Sequence, residues 1–224
     1  MARDFPNTLT NYLESASTPI TAAPFTISAW LNTDTLASSD TAAGIFNGGS
    51  DFNFWELQIP ATANVVFQIK DSGGSTKTAS AAGMTTGVWH HVIGHEVSSS
   101  DRRVRRTNDF TTTNTGTNTV AATLTGSSRI TVGHRGILTR SNGFDGKIGH
   151  LALWNIALTD NDGLSLAMGI SPLRLKADNL VGYWPINGVA APEKNLIAGG
   201  VGLVLTGTLA RVNEPPIPYS LKFI

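Results

Sequence analysis

"TTGVWHHVIGHEV", residues 85–97, holds three histidines and a glutamate within seven positions. Whether it is helix or strand decides the fold. On a helix, His91 and His95 would share a face and could hold zinc, with Glu96 nearby. Val88, Trp89, Val92 and Ile93 favour a strand instead, and Gly87 and Gly94 weaken a helix. On a strand His91 and His95 still share a face. Four residues at ~3.3 Å each then place them roughly 13 Å apart, too far to share one zinc. The order also departs from the His-Glu-x-x-His of zinc-protease helices. The stretch therefore reads as a strand without a metal. Trp89 and His91 are expected to point together into a core, with the His91 ring nitrogens hydrogen-bonded.

Working outward, the same period-2 pattern recurs. "FTISAWLNT" (25–33) alternates Phe25, Ile27, Ala29 and Leu31 against Thr26, Ser28, Trp30 and Asn32. "NVVFQIKD" (64–71), "SRITVGH" (128–134), "KIGHLALWN" (147–155), "NLVGYWPI" (179–186) and "VGLVLTGTLARV" (201–212) follow, bounded by Gly, Asn, Ser and Asp. Only "LTDNDGLSLAMGISP" (158–172) asks to be a helix. Thr159 can cap it, Gly169 can end it, and Pro172 forbids its continuation. The expected fold is all-β: a two-sheet antiparallel jelly-roll sandwich with one short helix. No repeat or linker divides the chain. It reads as a single domain over 1–224, with a core at about 20–212 and a proline-rich arm, 213–224.

The chain has 224 residues, 16 basic and 16 acidic, so no global charge draws it to nucleic acid or an anionic membrane. Cysteine is absent, which removes disulfides and thiol nucleophiles. The start "MARDFPNTLTNYLESA" has no apolar stretch of signal-peptide length, and Asn-x-Ser/Thr sequons are missing. The expected site of synthesis and assembly is a cytoplasm.

Three segments in order carry a resemblance. "FTISAWL", "GVWHHVI" and "FDGKIGHLALWNIALTD" resemble the strands of laminin-G-like, concanavalin A-like jelly rolls, over roughly residues 20–170. That resemblance implies the sandwich but not a function, because such folds serve lectins, glycosidases and adhesion modules. The C-terminal "SPLRLKADNLVGYWPINGVAAPEKNLIAGGVGLVLTGT" resembles the ends of laminin-G-like proteins encoded by tailed bacteriophages. This implies a virion protein assembled in the host cytoplasm and displayed on the particle surface, as a capsid decoration or accessory protein. Its partners would be a capsid or other virion protein and further copies of itself, such as a trimer. The alternative is a free-standing lectin.

Catalysis is not expected. Glycosidases need paired carboxylates. The chain has five glutamates, and none has an acidic residue two positions away, the same-face spacing on a strand. For a sugar, "GGSDFNFWELQI" (48–59) offers Asn53 and Trp55, and "HRGILTRSNGFDG" (134–146) offers Arg135 and Asn142. Core packing competes for Trp55. No cofactor is required; calcium could sit on either loop, though neither collects many acidic oxygens. "SSSDRRVRRTND" (98–109) holds four of the ten arginines. As a strand it sets Arg102, Val104 and Arg106 on one side and Arg103 and Arg105 on the other. The choice is between a docking edge for acidic groups and a solvated edge that prevents aggregation. Arg102, Arg103, Arg105 and Arg106, with Pro215 and Pro216 of the arm, are the candidate interface.

Overall fold

The computed structural model describes residues 1–108, 112–122 and 124–217. Its strands are β1 (Ala2–Pro6), β2 (Tyr12–Ser15), β3 (Phe25–Thr33), β4 (Asp40–Phe46), β5 (Phe54–Ile59), β6 (Asn64–Lys70), β7 (Thr76–Ala82) and β8 (His90–Ser98). They continue with β9 (Asp101–Asn108), β10 (Thr112–Asn118), β11 (Arg129–Val132), β12 (Asp145–Trp154), β13 (Leu180–Trp184), β14 (Val204–Thr206) and β15 (Ala210–Val212). One helix, α1 (Asp160–Ala167), interrupts them. The first sheet runs β10-β9-β8-β3-β12-β1-β15, with β13 also on β12, and the second runs β14-β2-β11-β4-β5-β6-β7. Every pairing is antiparallel, and the architecture is the jelly-roll sandwich expected.

The alternation in β3 decides its faces. Phe25, Ile27, Ala29 and Leu31 enter the core between the sheets, where Val65, Phe67 and Ile69 of β6 meet them. A second cluster lies on the far side of the first sheet. Ile93, Ala152, Trp154, Leu158, Leu166, Leu180 and Tyr183 pack there under α1. The helix begins at Thr159, whose hydroxyl accepts from the Asp162 N–H while the Asp162 carboxylate takes the Thr159 N–H. Capping of both ends of that reciprocal pair satisfies donors that the helix start would leave open.

Several expectations need correction. The core begins before residue 20, because β1 and β2 bury Ala2, Phe5 and Leu13. The run 201–212 is two strands, not one: β14 pairs with β2 in one sheet and β15 with β1 in the other. Gly207 turns the chain between them with φ +74, a conformation that favours glycine. Trp89 and His91 do not enter the core together. Trp89 precedes β8, and His91 lies on the same side as Ile93, under the C-terminal third. Finally, β9 is an interior strand between β8 and β10; the Thr/Asn-rich β10 is the edge.

Candidate functional site

A cleft of about 500 Å³ opens on the outer side of the first sheet. Its floor comes from the polar face of β3, Ser28 and Trp30, and from His91 on β8. The bulge in β12, where the register against β3 shifts between Gly149 and Ala152, adds His150. His150 has φ +54, and its ring stacks on Tyr183 of β13 with Nδ1 2.8 Å from the phenol oxygen. Bulges re-aim side chains in this way. The segment after α1, including Pro172 and Arg174, makes one wall, and Glu214 and Ile217 of the C-terminal arm make another.

The polar groups in the cleft are tuned by burial. His91 Nε2 lies 2.9 Å from Ser28 Oγ, and the His91 ring meets Trp30 at 5.3 Å. Burial first, then Arg105, His150 and His95, holds the His91 imidazole down to about 3. Burial pushes the Tyr183 phenol up. At neutral pH the His91 imidazole and the Tyr183 phenol are thus uncharged, and Arg174 and Glu214 stand at the walls. Aromatic faces beside convergent hydrogen-bonding groups suit a polar ligand with apolar faces.

The residues singled out in the sequence sit elsewhere. Trp55 packs in the core against Phe25, ring centroids 4.8 Å apart, so it offers no platform to a sugar. Arg135 is taken up by Glu56, a fully buried carboxylate that also receives Gln68 and the Thr41 hydroxyl. Asn53 adopts φ +60 and accepts from the Asn47 N–H in the β4–β5 turn. The two loops expected to bind sugar do meet: the Thr139 N–H donates to Asp51 at 3.0 Å. Asn142 lies at the far end of its loop, beside Asp40.

The arginines divide differently from the docking edge envisaged. Arg102 is fully buried and donates to Glu96, Asn118 and the Val120 and Ser99 carbonyls. Arg106 is buried, donates to the Ala82 carbonyl and lies 3.2 Å from His90 Nδ1. Neither can reach a partner. Arg105 ties β9 to α1 through Asp160, and exposed Arg103 pairs with Asp101 at 2.6 Å. Pro215 is buried beside Gly149 of β12, while Pro216 is exposed. Residues 218–224 of the arm lie outside the described residues. The cleft residues were missed, although one signal was present: Trp30 is a large aromatic on the polar face of β3.

Among the described residues, no group of three or more His, Asp or Glu that could hold a metal ion is found. No helix among the described residues is long and apolar enough to cross a membrane.

The chain resembles a candidate carbohydrate-binding protein from Bacteroides ovatus with TM-score 0.69 and 18% identity, over 97% of this chain and 61% of that one. The CBM40 of Ruminococcus gnavus IT-sialidase bound to α2,6-sialyllactose gives TM-score 0.57 and 12% identity, over 75% and 98%. A heptameric pentraxin from Limulus polyphemus gives 0.57 and 15%, over 74% and 81%. At these identities the likeness is one of fold. No curated protein sequence matches the chain. The family model that does match covers residues 7–162, most of the sandwich from the end of β1 into α1, and the chain belongs to the concanavalin A-like lectin/glucanases superfamily.

Proposed function

We propose that the protein is a non-catalytic carbohydrate-binding jelly roll that takes its glycan in the cleft floored by Trp30 and His91. The observation that carries this reading is the cleft itself: Trp30 and Tyr183 supply ring faces, and Ser28, His91 and His150 supply hydrogen-bonding groups around them. Glycan-bound and carbohydrate-binding neighbours of the same fold support it.

The absence of catalysis in this reading rests on the glutamates. Glu193 is paired with Arg3, Glu96 with Arg102 and Glu56 with Arg135. Glu14 is paired with Arg129 and Arg140, and Glu214 with the N-terminal ammonium. All five are committed to ion pairs, whereas a general acid and its partner must face the scissile bond. A broad glycan panel tests both parts. The expected result is binding without release of reducing sugar, weakened at least about tenfold by Trp30→Ala and unchanged by Arg103→Ser, since losing one aromatic contact removes about 1.4 kcal/mol or more. No binding to any glycan, or binding indifferent to Trp30→Ala in a folded variant, overturns the reading.

A second reading places this binding on the surface of a tailed-phage particle, with a capsid protein and further copies of the chain as partners. The sequence from Ser171 onward, which resembles phage-encoded proteins, favours it. Mass spectrometry of purified particles should find the chain in stoichiometric amounts; particles lacking it contradict the virion role but not glycan binding.

A further inference from the structure

Given the carbohydrate-binding reading above, the walls of the Trp30 cleft decide which sugar fits. The end of α1 and the segment after it make an apolar wall of Leu166, Ile170, Pro172 and Leu173, and Ile217 adds to it from the arm. Leu173 is 43% exposed. An apolar side chain left that far in water gains by meeting an apolar part of a ligand.

Little on this side answers a hydroxyl. The Ser171 hydroxyl accepts from the Leu173 N–H at 3.3 Å. On the floor, Ser28 is engaged with His91 at 2.9 Å and His150 with the Tyr183 hydroxyl at 2.8 Å. A hexose with hydroxyls around its whole rim would turn some of them to the wall, out of water and without partners, which is unfavourable. A methyl group in that place removes the cost and adds apolar contact.

We propose that the cleft selects a neutral sugar residue that carries a methyl group and seats the methyl against Ile170 and Leu173. A 6-deoxy carbon and the end of an N-acetyl group present the same chemistry to this wall. The hydroxyls on the opposite edge of the ring are left to Ser28, His91 and Tyr183. Neutrality follows from the charges at the walls. Arg174 and Glu214 bring one of each sign, so a sugar carboxylate meets no excess of positive charge.

The test displays matched glycans to the whole chain on one array, with four sugars in turn at the exposed end. L-fucose against L-galactose isolates the 6-deoxy methyl, and N-acetylglucosamine against glucose isolates the N-acetyl group. At least one pair should favour its methyl-bearing member about tenfold or more, the usual effect of one carbon in an apolar pocket; which pair does so names the source of the methyl. Leu173→Asn should erase that ratio and leave the methyl-free member bound as before. Ile170→Ser is the second variant if the first does not fold. Equal binding within both pairs overturns the proposal and leaves glycan binding in the cleft intact. So does a ratio unchanged in a folded wall variant, or a preference for sialic or uronic acid ends over neutral ones. No binding to any glycan, or binding indifferent to Trp30→Ala, removes the carbohydrate reading and this proposal with it.

Discussion

His90, His91 and His95 on β8 are all buried, and burial strips them of charge. It is the largest cause in each case, holding His91 to about 3 and His90 and His95 to about 4, against an ordinary 6.5. The unfolded chain therefore binds these protons more readily. Stability should be complete above about 6.5 and fall as the pH drops toward 4. At about pH 5 each histidine should cost roughly 2 kcal/mol. Glu96 acts the other way. Burial pushes it up to about 7 from 4.5, so its contribution is present at low pH and is lost as pH rises through 7. One proton against three leaves a net loss of about 4 kcal/mol between about pH 7.5 and 5. Urea unfolding at the two pH values measures it; equal stability would show that the imidazoles are not desolvated in solution. Much at this scale was hidden from the sequence. "NFWELQI" does not say that Trp55 turns inward to Phe25, or that Glu56 will summon Arg135 from 79 positions away. "RRVRR" looks like a charged surface because its partners, Glu96, Asn118 and the Ala82 carbonyl, come from neighbouring strands.

Among the elements, β10 shows how closely the two sheets approach at one side. It packs over β7, and a Cβ on Gly116 would lie 1.9 Å from the Ser80 carbonyl oxygen. Backbone cannot move aside as a side-chain tip can, so Gly116→Val should cost about 3 kcal/mol or more. Gly87 makes the comparison: nothing lies within 4 Å, and only its φ of +72 opposes a side chain. Gly87→Ala should cost about 1–2 kcal/mol. Denaturant midpoints of the two variants decide the order, and equal losses would place β10 away from β7. The strands β3, β6 and β8 were legible because β-branched and aromatic residues recur along each at a strand's period, although both faces of β3, and most of β6 and β8, are buried in the fold. The helix was legible because Thr159, Gly169 and Pro172 mark its ends locally. "ARDFP" and "YLES" were not, because charged residues break their apolar pattern. Arg3 is buried because Glu193, 190 positions on, and the Leu209 carbonyl receive it.

For the whole molecule, the same long-range pairing places β1 inside a sheet rather than at its rim. Its register runs Arg3 opposite Ile148 on one side and Arg3 opposite Arg211 on the other. Deleting residues 1–6 should therefore abolish the cooperative unfolding transition seen by circular dichroism, not merely lower its midpoint. A truncated chain that still melts in one sharp step would mean that β12 and β15 can pair without it. The fold class could be read from patterns repeated along the chain, but this closure could not, since nothing local announces a partner more than 140 residues away. It also sets a timetable. A chain emerging from the ribosome makes β1 long before β12 and β15, the two strands that enclose it. Until residue 212 has appeared, that strand has an uncovered side, open to wrong pairing. Contacts so distant in sequence form slowly, so the hazard in this protein's life lies in the interval before its first strand is enclosed.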